Sequence, residues 1–245
     1  MSKFKKIALV TGASRGIGAS IAERLAKDGF SIVANYAGSE NAAKKVVAQI
    51  TEAGGQAIPY QADVSDAKAV HAMFNHVEAA LGKVDVLVNN AGIMELQPLS
   101  KADTQHVDKQ IDINLKGTIN TLREASLRLN NGGRVINFST SVVGLKLENY
   151  GVYAATKAAV ETLTAIMAKE MRGKDITVNA VAPGPTATEL FLKGKPNELI
   201  ERMAQMNPLE RLGTPDDIAS VVSFLASTGS GWINGQVLRA NGGVV

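Results

Sequence analysis

The chain contains no cysteine, which excludes disulfides and thiolate metal sites. Histidine is scarce: His71, His76 and His106 are the only three, and none sits in an H-E-x-x-H arrangement, so no metal site is expected. No apolar stretch approaches the length of a membrane span. Charge of one sign is missing as well. The formal net charge is +3, with lysines and arginines interspersed among acids, so no basic stripe marks a nucleic-acid binder. The basic start, Met1 to Lys6, is followed by only Ile7, Ala8, Leu9 and Val10 before Thr11-Gly12. That run is too short for an export signal, and a cytoplasmic location is the expectation.

What is present is an ordinary globular composition, with 45% hydrophobic residues and 23 glycines in 245 residues. A chain of this length buries roughly three-quarters of its unfolded surface. Short apolar runs alternate with helical stretches from end to end, and no repeat, linker or low-complexity segment interrupts them. The strands read as 6–10, 31–36, 57–60, 84–89, 132–138, 176–181 and 235–240. Helices read as 19–28, 41–53, 65–80 with Ser65 as N-cap, 104–130, 152–171 and 216–226. Continuous apolar strands separated by helices point to a parallel α/β sheet covered on both faces.

The first strand runs into Thr11-Gly12-Ala13-Ser14-Arg15-Gly16-Ile17-Gly18 and then a helix. A glycine-rich turn there aims backbone N–H groups outward at the positive helix end, and the missing Cβ atoms allow a pyrophosphate to approach. This is dinucleotide-binding logic, with spacing G-x-x-x-G-x-G in place of G-x-G-x-x-G. Beyond the second strand, an NAD site would offer an acid to the adenosine ribose. Here Asn35, Tyr36 and Ser39 occupy that neighbourhood, and no acid comes before Glu40. Without that carboxylate a 2′-phosphate meets no repulsion, and Arg15 offers it charge-assisted hydrogen bonds. NADP(H) is therefore expected over NAD(H), the alternative being a merely solvated Arg15.

Small and amide residues follow the fourth strand at Asn89, Asn90, Ala91 and Gly92, suited to a crevice or to a simple turn. Asn114 lies mid-helix among Ile111, Ile113, Leu115 and Ile119, where an amide is mildly unfavourable. The fifth strand delivers Ser139, Thr140 and Ser141. On the following helix Tyr153 and Lys157 stand one turn apart on the same face. A phenol has a reference pKa of about 10. A neighbouring ammonium favours its phenolate, so the tyrosine releases its proton more readily. That pair suits protonation of an oxygen on which negative charge grows.

Thr11-Gly12-x-x-x-Gly16-x-Gly18, Asn89 to Gly92, Asn114, the hydroxyls at 139–141, Tyr153-x-x-x-Lys157 and Pro183-Gly184, in this order, resemble the short-chain dehydrogenase/reductase family across essentially the whole chain. The resemblance implies one Rossmann-like doubly wound domain with a seven-stranded parallel sheet, assembled as a homotetramer. It makes Tyr153 the acid in reduction and the base in oxidation. Lys157 would hold the nicotinamide ribose, and Asn114 a water that relays protons. One hydroxyl would bind the substrate carbonyl, with Ser141 preferred, Thr140 second and Ser139 structural. It places Asp63 and Val64 at the adenine, Asn90 to Gly92 at the adenosine ribose, and Pro183, Gly184, Thr186 and Thr188 around the nicotinamide and phosphates.

Residues 187–210 read as an insertion whose helices form a lid, with Leu190, Phe191, Met203 and Met206 as pocket walls. An apolar wall favours aliphatic or aromatic carbonyls over sugars. The hydrophobic end, 242–245, reads as a subunit contact. The leading expectation is an NADPH-dependent carbonyl reductase. The wording around 139–153 and 183–188 is similar to 3-oxoacyl-carrier-protein reductases and to naphthol and aldehyde reductases. Asn131 and Gly132 stand where such carrier-protein enzymes often have a basic residue, although Lys174 remains available. A non-catalytic NADP(H)-binding regulator is the alternative of another class, and it would need no proton-transfer set.

Overall fold

A computed structural model describes residues 6–245; the basic residues 1–5 and the reading placed on them lie outside the described residues. Seven strands form one sheet in the order β3-β2-β1-β4-β5-β6-β7. They are β1 (Ile7–Val10), β2 (Ser31–Tyr36), β3 (Gln56–Gln61), β4 (Val86–Asn89), β5 (Arg134–Phe138), β6 (Thr177–Pro183) and β7 (Val237–Ala240). Every pairing is parallel. Each crossover therefore needs a helix, and helices cover both faces.

Successive residues of β1 point to opposite faces, so the sheet has two cores. Ala8 and Val10 meet α1 (Gly16–Lys27), α2 (Glu40–Glu52) and α10 (Pro215–Ala226) through Ile21, Leu25, Val46 and Val222. Ile7 and Leu9 face α3 (Ala67–Ala80), α5 (Gly117–Arg128) and α7 (Gly151–Glu170) through Phe74, Leu122 and Met167. Burying a side chain of this size contributes about 1.5–3 kcal/mol before chain entropy is counted. Because both faces are covered, the central strands are apolar throughout rather than alternating.

From β1 the chain works outward to β3, then crosses back to place β4 on the other side of β1. At that reversal the loops leaving β1 and β4 diverge and open a crevice at their carboxyl ends. The expected seven-stranded doubly wound fold is the one found.

Local differences have identifiable causes. Asp66, not Ser65, caps α3, because its carboxylate accepts from the Lys68 and Ala69 N–H groups. The Ser65 hydroxyl instead donates to Asp63 at 2.7 Å. The expected helix over 104–130 is α4 (Thr104–Gln110) and α5 joined by a π-helical segment, Ile111–Lys116. Asn114 sits in that segment, where the wider turn accommodates an inward amide. The insertion folds as α8 (Glu189–Leu192) and α9 (Asn197–Gln205). A short α6 (Val142–Leu145) follows β5.

Candidate active site

Two adjoining cavities occupy the crevice. The first, about 320 Å³, runs from the glycine-rich turn past the end of β2 to the loop after β4. The second, about 140 Å³, lies beneath α8 and between β5, α7 and the loop after β6. Ile17, Asn90, Gly92, Ile93, Thr188 and Leu190 line both, so the two are continuous. A wider mouth of about 910 Å³ opens between α9 and the segments around 93–98 and 147–150.

The glycine-rich turn is built by close approach. Gly12 holds φ +65°, and a Cβ on Gly18 would stand 2.3 Å from the Gly12 carbonyl oxygen. The loop after β4 braces it. The Asn90 amide donates to the Thr11 and Gly12 carbonyls at 3.0 and 3.1 Å, and the Thr11 hydroxyl accepts from the Asn90 and Ala91 N–H groups. Thr11, the first residue of the glycine motif, thus ties the turn to this loop.

Gly12, Ser14, Arg15, Gly16, Ile17, Gly18, Asn35, Tyr36, Ser39, Asp63, Val64, Asn90, Ala91, Gly92 and Thr188 all border the first cavity. The Asn35 side chain, however, is buried and donates to the Tyr60 and Ala62 carbonyls, so it walls the space without facing it. Asp63 accepts from the Ser65 N–H and hydroxyl. Arg15 reaches across to Glu189 at 3.3 Å. Asn89 belongs to the core, bonded to Asn137 and Thr121.

This cavity fits a dinucleotide phosphate. Its floor is a turn that stays this tight only because a Cβ at Gly12 or Gly18 would collide with the loop after β4 or the turn itself, and no carboxylate follows β2 before Glu40 at the start of α2. The glycine-turn backbone would hold the pyrophosphate, and Arg15 with Ser39 the adenosine phosphate.

Thr140, Ser141, Tyr153, Lys157, Pro183, Gly184 and Thr186 border the second cavity. Ser139 borders it too, but its hydroxyl donates to Glu161 at 2.5 Å. Ser141 is also spent internally: its hydroxyl donates to the Ala182 carbonyl at 3.3 Å and accepts from the Asn241 amide at 3.0 Å. Thr140 is the hydroxyl that reaches the Tyr153 phenol. Ser141, the hydroxyl preferred from the sequence, is thus held by Ala182 and Asn241, while Thr140, the second choice, stands beside the tyrosine.

Burial pushes the Tyr153 phenol up to about 12, against which its hydrogen bond with Thr140 pulls down. Burial also pushes the Lys157 ammonium down to about 8. Lys157 donates to the Phe138 carbonyl at 2.9 Å, and its nitrogen is 6.0 Å from the Tyr153 ring centre. The phenol is therefore raised by desolvation, with Thr140 rather than Lys157 as the influence that lowers it. The phenol accordingly keeps its proton at neutral pH and is poised as a donor.

Asn114 borders neither cavity. It is fully buried behind Gly92, where its amide pairs with the Ile93 N–H at 2.8 Å and the Ile93 carbonyl at 2.9 Å. A Cβ on Gly92 would approach the Asn114 oxygen at 3.1 Å and the Lys157 nitrogen at 3.5 Å. Asn114 thus fixes the loop between the two cavities.

Leu190, Phe191 and Met203 wall the second cavity, while Met206 borders only the mouth. Met94, Leu145, Leu147 and Tyr150 complete the apolar wall and were not foreseen, since nothing in their local pattern separates them from surface loop. Lys174 lies at the amino ends of β5 and β6, opposite the crevice, and donates to the Ser126 carbonyl at 2.7 Å. It is not available to a partner at the entrance.

Among known proteins, a family model described as enoyl-(acyl carrier protein) reductase matches residues 12–245. The chain is 43% identical over 253 residues to the NADPH-dependent aldehyde reductase 2, chloroplastic, of Arabidopsis thaliana, covering 97% of this chain and 93% of that one. It is 43% identical over 244 residues to a 3-oxoacyl-[acyl-carrier-protein] reductase of Staphylococcus aureus, covering 99% of each. A short-chain dehydrogenase of Burkholderia cenocepacia J2315, solved in complex with NADP, superposes with a TM-score of 0.93 at 34% identity over 99% of both chains. The chain belongs to the short-chain dehydrogenase/reductase family. Within it, this protein is an NADP-dependent oxidoreductase.

Proposed function

We propose that Tyr153, Thr140 and Lys157 carry the reduction and that the substrate is an apolar ketone or aldehyde held beneath α8. The observation that carries this reading is that Thr140, Tyr153 and Lys157 border one cavity walled by Phe191, Leu145 and Met203. NADPH, when bound, supplies the hydride. Thr140 and Tyr153 would donate to the carbonyl oxygen as negative charge develops on it. Tyr153 then gives up its proton, a transfer favoured because a nascent alkoxide is a stronger base than a phenolate. Lys157 sits close enough to hold the nicotinamide ribose and to compensate the phenolate left behind. Asn114 positions the loop at Gly92 through its hold on Ile93.

Residues 187–210 act in this reading as a lid, α8 over the inner cavity and α9 over the mouth. A cytoplasmic homotetramer remains the assembly we propose, with the fully exposed Trp232 and the exposed Phe224 and Leu127 as surfaces for neighbouring copies. Among the described residues no helix is long and apolar enough to cross a membrane.

A second reading, reduction of a 3-oxoacyl group on a carrier protein, is favoured by the Staphylococcus aureus relative and by Lys193, Lys195 and Arg202 around the mouth. Purified protein with NADPH and a panel of aliphatic and aromatic ketones, aldehydes and acetoacetyl thioesters tests these readings. Loss of reduced-nicotinamide absorbance with free apolar carbonyls is expected. Turnover of the thioesters alone would favour the second reading, and turnover of none would overturn both.

A further inference from the structure

The arginine suited to the cofactor's extra phosphate already has an anionic partner. Arg15 Nη1 lies 3.3 Å from Glu189 Oε2, joining the glycine-rich turn to the first residue of α8 across 174 positions of sequence. Both residues border the first cavity. Tyr36 and Ser39, where β2 ends and an adenosine 2′-phosphate would be received, border it as well. Glu189 holds one guanidinium nitrogen of Arg15 and so draws on the donors that phosphate would use.

We infer that Glu189 competes with the cofactor's 2′-phosphate for Arg15 and so sets how strongly the protein prefers NADPH to NADH. The inference rests on the NADP assignment. The pair is well exposed, with the two side chains 64% and 70% accessible. An exposed ion pair is worth at most about a fivefold change in an equilibrium constant. A phosphate with close to two negative charges and three acceptor oxygens outbids a single carboxylate oxygen. The carboxylate therefore weakens NADPH binding without preventing it. NADH carries no 2′-phosphate and leaves the pair intact, so Glu189 costs it nothing through Arg15.

The test is direct binding, read from the fluorescence of the reduced nucleotide on titration with protein. Glu189→Gln keeps the shape of the side chain and removes its charge. It should tighten NADPH by about two- to fivefold and leave the Kd for NADH unchanged. In the Arg15→Ala background the same substitution should do nothing to either nucleotide. Raising the salt concentration should shrink the NADPH effect, since exposed charges are screened within about 10 Å at 0.1 M. Equal tightening of NADH and NADPH would overturn the inference in favour of general repulsion between Glu189 and the pyrophosphate. Weaker NADPH binding would overturn it by showing that Glu189 holds Arg15 in place for the phosphate. Wild-type protein that binds NADH more tightly than NADPH would overturn the cofactor assignment itself, a result distinct from both.

Discussion

The Lys157 ammonium donates to the Phe138 carbonyl at 2.9 Å, tying the end of β5 to the helix that carries Tyr153. Burial at this position lowers its pKa to about 8, inside the range an assay can reach. A lowered lysine is charged below that value and loses its charge as pH rises through it. For carbonyl reduction, kcat/KM should be flat below pH 8 and fall above it. Lys157→Arg should move the break upward, and Lys157→Met should flatten the profile at a low rate. A wild-type profile without a break between pH 6 and 10 would remove Lys157 from the chemistry.

Thr140 and Ser141 differ in where their hydroxyls point, and kinetics should separate them. Thr140→Val removes the hydroxyl beside Tyr153 at nearly constant volume, and kcat should fall by roughly 10²- to 10³-fold, the size of losing one donor to a developing oxyanion. Ser141→Ala removes a bond to Ala182 and one from Asn241. Its cost should appear mainly as about 1 kcal/mol of stability per bond lost, with kcat much less affected. Steady-state rates and urea melts of the two variants would show this, and the opposite pattern would return the carbonyl to Ser141.

Gly18 tests the cradle. An added methyl meets the Gly12 carbonyl oxygen at 2.3 Å and the Asn90 amide nitrogen at 2.5 Å, so both flanks of the turn must shift. Overpacking of this kind costs about 1–3 kcal/mol. Gly18→Ala should weaken NADPH binding by about tenfold or more, measured by nucleotide fluorescence, without unfolding the sheet. Unchanged affinity would mean that the pyrophosphate is held elsewhere.

Asp217 tests the stability of the helix behind the crevice. Arg211 and the Thr214 N–H hold its carboxyl well below the usual carboxylate range, and Thr214 and Asp217 form a reciprocal cap on α10. A depressed carboxylate stabilises above its unfolded pKa, near 4, and that contribution is lost as pH falls through its folded value. Asp217→Asn should cost about 0.5–2 kcal/mol at pH 7, in the range of a lost helix cap. The difference from wild type should begin to shrink below about pH 4 and be smaller, but still present, at pH 3. Urea denaturation of both proteins at pH 7 and at pH 3 would check the size and the sign.

The residues that were legible in the sequence are those whose signal is local. Strand, glycine turn and helix follow one another without interruption from Ile7 to Lys27, and Tyr153 and Lys157 share one helical face. What could not be read depends on distant partners. The bond that engages the Ser141 hydroxyl comes from Asn241, a hundred residues away in sequence. The π-helical turn around Asn114 has no composition of its own, and Asn114 turns inward because the Ile93 backbone needs partners there. Likewise Arg15 carries its charge openly in the sequence, while Glu189 becomes its neighbour only when α8 folds over the crevice. The tyrosine's proton was judged from its lysine alone, whereas burial at the site is the larger effect.

The most direct measurement is the single-turnover rate of NADPH oxidation by Tyr153→Phe with an apolar ketone, taken beside the variant's Kd for NADPH. Loss of the proton donor should slow the reaction by about 10²- to 10⁴-fold while leaving nucleotide affinity within twofold of wild type. A rate within a few-fold of wild type would contradict the account, because some other group would then be protonating the product.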